Sequence, residues 1–238
     1  MVLEKYNECY ESEHYKFYFK KNTLASNDIV KIALTQEDCY KKISTLLNII
    51  PSFKIKYFLV ETPEEVGQIY SEVYNDEDNS PCNGFAFYPD TIYCVYNDNI
   101  KCIGMHEDTH IISYVRLRPK SAFLREGLAM YMDKVWHGVA NEQHVYNSLN
   151  LGNQFDFKKC LDNEYFFNLD CNISYPLAGS FVGFLIEKVG INIFLDELYY
   201  TQNDYIQQLN KISANLKNDM TTEFEKFIKS KAINLPNN

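Results

Sequence analysis

Strand-like alternation of apolar and polar residues is confined to the first hundred positions of this chain. Beyond Asn99, apolar residues recur at helical spacing almost to the C-terminus. "HYKFYFK" (14–20) and "FKIKYFLV" (53–60) read as strands. Between them, "SNDIVKIALTQEDCYKKISTLLNII" (26–50) reads as a helix capped by Ser26 or Asn27. "TPEEVGQIYSEVY" (62–74) opens with Thr62 as cap, Pro63 in the first helical position and two acids in the first turn. A loop (75–84) leads to "GFAFYP" and "TIYCVY", a hairpin or two adjacent strands. Helices are expected over 101–117, 121–136, 139–149, 156–162, 175–189, 191–200, 203–215 and 219–233. Strands first and helices afterwards predict an α+β fold, with a small N-terminal mixed β-sheet and a mainly helical C-terminal part. The expected organisation is one domain, 1–238, bilobed, with a strand-rich lobe (1–100) that carries an edge strand and a helical lobe (101–238).

Composition removes several function classes. The formal net charge is -9, with no basic cluster large enough to neutralise a phosphate backbone, so nucleic acid is not an expected partner. The same charge disfavours anionic membranes, and no window reaches the 18 apolar residues of a spanning helix. Seven cysteines at irregular spacing, without a CxxC pair, read as free, mostly core-packed thiols. The N-terminal "MVLEKYNECYESEHYKFYFKKN" is charged from the start and lacks the apolar core of a signal peptide, so a cytoplasmic location is expected, or secretion if a leader was removed. Oligomeric state is not legible.

The stretch that carries chemistry is "GMHEDTHIISY" (104–114). On a helix, residues four apart share a face, so His106 and His110 can present ring nitrogens to one ion at about 2.0–2.1 Å. Glu107 projects to the side, where it can accept a proton from a water that zinc has acidified. The flanking Ile103, Met105, Ile111, Ile112 and Tyr114 make the helix apolar nearly all round, which argues against two ordinary solvent-facing histidines. Two histidines and two acids on a buried helix need partners. Asp108 points away from the metal in this spacing, where it can hold a neighbouring helix or a histidine ring.

A third ligand must come from elsewhere. A Gly at position 113 and a His at 116 would complete one known pattern, but Ser113 and Arg116 stand there. The downstream candidates are Glu126, Asp133, His137 and His144. Glu126 is favoured, because a break at Arg118-Pro119-Lys120 followed by an antiparallel helix would return it to the His110 region, with Gly127 and Ala129 permitting close approach. Asp133, seven residues on, reads as a carboxylate that supports the ligands from behind.

"HEDTH", "REGLAMY" and "YPLAGSFVGFLIEKVG" together resemble the gluzincin metallopeptidases of the peptidase MA-like group, related to thermolysin and more distantly to the zinc aminopeptidases. The resemblance covers about residues 85–190. It implies a zincin-like fold, Zn2+ held by His106, His110 and Glu126, and Glu107 as the general base. It also implies that "GFAFYP" and "TIYCVY" occupy the place of the family's substrate-pairing edge strand, which makes Gly84, Ala86 and Tyr93 substrate-binding positions. Tyr175, at the expected start of the "YPLAGSF" helix, becomes a candidate oxyanion donor. Ala178-Gly179-Ser180 would let that helix pack tightly on the zinc helix.

Zinc aminopeptidases carry a G-x-M-E-N stretch whose glutamate binds the substrate amine, and "GFAFYP" lacks that carboxylate. The expected activity is therefore that of a zinc endopeptidase acting on a peptide or protein. The alternatives are a metal-bound protein that grips a peptide without cutting it, and a zinc hydrolase of small amides.

Overall fold

A computed structural model describes residues 2–233. The fold is mixed α and β, and the chain divides into two compact units, Met1–Arg116 and Leu117–Asn238.

The first unit is built on a five-stranded sheet. Its elements are β1 (Glu8–Glu11), β2 (Tyr15–Phe19), α1 (Leu24–Leu47), β3 (Ile55–Val60), α2 (Pro63–Tyr74), β4 (Gly84–Phe87), β5 (Thr91–Val95) and α3 (His106–Tyr114). Strand order is β1-β2-β3-β5-β4, with β2, β3 and β5 parallel and both edge strands antiparallel to their neighbours. Parallel neighbours need crossover connections, and α1 and α2 supply them. Side-chain alternation then sorts the two faces. Tyr15, Phe17 and Tyr57 pack on one another and meet the α1 residues Gln36 and Tyr40. Val60, Tyr93 and Val95 meet Val66 and Ile69 of α2 on the other face. All five residues of β5 are buried, which explains its near-continuous apolar run.

The pairing of β4 with β5 sets what the free sheet edge offers. Val95 N–H donates to Asn83 O at 2.8 Å, and the register pairs Phe85 with Tyr93 and Phe87 with Thr91. Hydrogen-bonded and non-hydrogen-bonded pairs alternate along an antiparallel ladder. The peptide groups of Gly84 and Ala86 therefore face outward from β4, and the Tyr74 hydroxyl reaches Ala86 O at 3.4 Å.

Boundaries differ from the sequence expectation where side-chain caps decide them. Helix α1 begins one turn early, because Thr23 rather than Ser26 or Asn27 is its cap and accepts from Ser26 N–H at 3.3 Å. Strand β1 is unanticipated, since "ECYE" has charged ends and little buried surface. The helix expected over 101–117 covers only His106–Tyr114. Lys101 bridges to Tyr96, and Cys102 N–H donates to Val95 O at 2.8 Å, so this segment extends the sheet edge instead. Gly104, with φ of 146°, then turns the chain into α3, a conformation that a side chain would resist. The division of the chain thus falls after the histidine helix, which packs on α1, β4 and β5 and belongs to the sheet-bearing unit.

The second unit contains α4 (Ala122–Asp133), a short hairpin of β6 (Val135–Trp136) and β7 (Val139–Ala140), α5 (Asn141–Asn150), α6 (Phe157–Cys160), α7 (Asn163–Phe167), α8 (Cys171–Val189) and α9 (Ile191–Ile193). A π-helical turn (Phe194–Tyr199), α10 (Tyr205–Ala214) and α11 (Met220–Ile233) complete it. The hairpin replaces the end of the helix expected over 121–136. His137 and Gly138 both have positive φ, which is the geometry of a two-residue hairpin turn that matches strand twist. Among the described residues, no single helix is long and apolar enough to cross a membrane. The apolar α8 is instead the centre of this unit, against α4 and α5.

Small residues do set a helix contact, but between α4 and α8. A Cβ on Gly127 would lie 2.6 Å from Val182 Cγ2 and 2.8 Å from the Ala178 carbonyl oxygen, and one on Gly179 would lie 2.7 Å from Met130 Cβ. Ala178 and Gly179 thus lie against α4. Gly127→Ala pits two effects against each other. Alanine gains about 1 kcal/mol of helix propensity, whereas overpacking costs about 1–3 kcal/mol. A backbone carbonyl in the way tips the balance to a net loss. Urea unfolding should show a lowered midpoint, and an unchanged or raised midpoint would contradict the packing.

Candidate metal centre

The ligand atoms of His106, His110 and Glu126 lie within 4.8 Å of one another. His110 is buried, and the other two are half-buried. Donors around one tetrahedral ion sit about 3.4 Å apart when each bond is near 2.1 Å. Two imidazoles and one carboxylate are an apt set for a divalent transition metal, shared by zinc and iron(II) sites. The three residues could hold a metal ion.

His106 is the first residue of α3, and His110 is one turn further along. Their rings stand 5.1 Å apart between centroids and nearly perpendicular, at 82°. The Tyr114 hydroxyl shares a hydrogen bond of 3.2 Å with His110 Nδ1. An imidazole engaged at Nδ1 coordinates through Nε2, and such an outer partner fixes ring orientation. Tyr114 lies one helical turn past His110, a spacing that could have singled it out in the sequence.

Glu126 sits in the second turn of α4. The segment ahead of that helix is strapped down. Arg125 Nη1 donates to Pro119 O at 2.9 Å and to Lys120 O at 2.8 Å, Asn163 Nδ2 donates to Lys120 O at 3.0 Å, and Ala122 N–H donates to Asn163 Oδ1 at 2.6 Å.

Glu107 follows His106 and is half-buried. Burial, reinforced by the charge of Glu107, holds the Cys82 thiol above its usual range and pushes Cys94 much higher still. Both thiols stay protonated at neutral pH, which makes them poor nucleophiles and poor ligands. Among the described residues no disulfide is formed, and Cys39, Cys94 and Cys160 are buried.

No protein-family model and no curated protein matches this chain.

The remaining residues singled out from the sequence are placed as follows. Gly84 and Ala86 lie on β4, with their peptide groups at the free edge. Tyr93 is buried among Phe58 and Phe85, at centroid distances of 5.1 and 5.0 Å, on the α2 side of the sheet rather than at the edge. Asp133 closes α4, two turns past Glu126. His137 is in the hairpin turn, and His144 Nε2 is 2.9 Å from Trp136 O. Tyr175 does not open its helix. Asp170 caps α8 by accepting from Asn172 N–H at 2.9 Å, which places Tyr175 and Pro176 inside the helix. The Tyr175 ring is stacked on Trp136 at 5.2 Å.

Two residues that sequence reasoning passed over reach α3 from beneath. The Tyr15 hydroxyl donates to Asp108 Oδ2, and Gln36 Nε2 donates to the same oxygen at 2.9 Å and to Gly104 O at 3.0 Å. Tyr15, Gln36 and Asp108 are all completely buried. Gln36 was detectable, as a polar residue within the buried stripe Ile32, Cys39, Ile43 of α1.

Proposed function

We propose that this chain is a zinc metallopeptidase of the gluzincin type, with a zincin-like fold, that cleaves internal bonds of peptides or proteins. The observation that carries the reading is the convergence of His106, His110 and Glu126 with Glu107 directly beside the first ligand. The donor set alone suits more than one metal. The adjacent carboxylate favours hydrolysis, because a hydrolytic site needs a group that shuttles a proton. A bound zinc supplies Lewis acidity, lowering the pKa of a water towards 7 and polarising a carbonyl.

The chain's own residues do the rest. His106, His110 and Glu126 hold the ion, and the Tyr114 hydroxyl steadies the His110 ring. Glu107 takes the proton from the attacking water and delivers it to the leaving nitrogen. The outward peptide groups of Gly84 and Ala86 offer hydrogen bonds to an extended substrate backbone. Helix α3 packs on β4, so such a strand would run beside the histidine helix. The mechanism uses neither Tyr175 nor Asp133.

"GFAF" in β4 carries no carboxylate to bind a free amine, which supports an endopeptidase. A quenched-fluorescence peptide library tests both claims, with each peptide offered as the free amine and as its N-acetyl form. The expected result is cleavage of both forms, loss of cleavage with chelator and recovery on adding zinc. Cleavage restricted to free-amine peptides would remove the endopeptidase assignment, and turnover insensitive to chelator would remove the metallopeptidase.

A further inference from the structure

Asp108 occupies the position between the two histidines where a helix turns furthest from them. It is two residues from each, or about 200° around the axis. The face opposite the ligands is therefore anchored by a completely buried carboxylate. A chain selected only for stability has a cheaper choice there. Replacing buried charged groups with apolar residues of similar volume is often neutral or stabilising, and a buried carboxylate is tolerated only with hydrogen-bond partners.

The partners come from two elements. Tyr15 reaches from β2, and Gln36 reaches from the buried face of α1. The Gln36 amide donates to Asp108 Oδ2 in the first turn of α3 and to the Gly104 carbonyl that precedes the helix, with the Tyr57 hydroxyl a longer contact at 3.4 Å. One side chain thereby fixes both the entry and the first turn of the histidine helix. Unlike apolar contacts, which tolerate sliding, these bonds have distance and angle requirements.

We infer that Tyr15 and Gln36 are positioning residues, which set the rotation of α3 about its own axis by gripping Asp108 and so aim His106 and His110 at a shared ion. The inference rests on the metal-site reading above and extends it to residues on the far side of the helix. The sensitivity follows from geometry. Side-chain tips lie about 6 Å from a helix axis. A rotation of about 10° then moves a ring nitrogen by about 1 Å, while a coordination bond tolerates deviations of about 0.2 Å. Removal of Tyr15 Oη or the Gln36 amide leaves α3 in place but frees its azimuth, and the cost appears in metal affinity.

The test compares Tyr15→Phe and Gln36→Met with Phe17→Leu, a core change on the same strand as Tyr15 that does not touch Asp108. Zinc affinity is measured by competition with a chromogenic chelator, and folding by circular dichroism and thermal melting. Tyr15→Phe and Gln36→Met are each expected to weaken zinc binding about tenfold or more, the lower end of the range for outer partners of metal ligands. Phe17→Leu should lower the melting temperature and leave zinc affinity close to native. Native-like zinc affinity in both network variants, or equal weakening in Phe17→Leu, would overturn the positioning role. Loss of the fold in both network variants would overturn it too, since their role would then be structural. If the native chain itself binds no zinc, the metal-site reading falls first and the inference with it.

Discussion

Glu107→Gln is expected to lower kcat for peptide hydrolysis by about 10²–10⁴-fold, the range for loss of a positioned general base. The substitution keeps the size and shape of the side chain and removes its ability to accept a proton. Zinc affinity should stay close to native, because Glu107 is one residue and about 100° around the helix from His106 and is not among the converging donors. KM should change little, which separates a lost proton transfer from lost substrate binding. The measurement is steady-state cleavage of a fluorogenic peptide by zinc-loaded protein, with metal content determined on the same samples. Cleavage at the native rate by Glu107→Gln would sink the mechanism, even if zinc is bound.

Glu126→Gln should act at the earlier step. Of the three converging donors, only Glu126 brings a negative charge to offset that of a divalent ion. Its loss should weaken zinc binding by more than the 10–100-fold associated with outer partners of ligands. Activity at subsaturating zinc should fall in parallel and recover in part as zinc is raised. The fold should survive, because Arg125 and Asn163 hold the segment ahead of α4. Chelator competition reads the affinity, and circular dichroism checks the fold. Native-like affinity in Glu126→Gln would transfer the third position to another residue.

The histidine helix was legible because its signal is local. Two histidines four apart, with a glutamate between them and apolar flanks, constrain one another through helix geometry alone. The site of Glu126 was legible for a weaker reason, a break followed by a second helix. Gly127 was expected to let the histidine helix approach closely, and it meets Ala178 and Val182 of α8. Spacing reports that a helix face is narrow, not which helix lies against it.

Boundaries failed where one side chain outcompeted periodicity. Asp170 starts α8 about a turn before Tyr175, its expected opening residue, and the Lys101–Tyr96 bridge takes residues that otherwise suit a helix. The support beneath α3 was invisible for a different reason. Tyr15, Gln36 and Asp108 are joined over separations of 93 and 72 residues, and no short window of sequence contains such a pair. Asp108 was read as able to hold a neighbouring helix, but its partners were not identified, although Gln36 places an amide within the stripe of Ile32, Cys39 and Ile43.

The central claim is that His106, His110 and Glu126 bind one ion together. Anomalous diffraction at the zinc edge, from crystals grown with zinc, tests it most directly. The account predicts a single strong peak within about 2.2 Å of a ring nitrogen of each histidine and a carboxylate oxygen of Glu126. A peak elsewhere, or none with Glu126 turned away from the histidines, would contradict it.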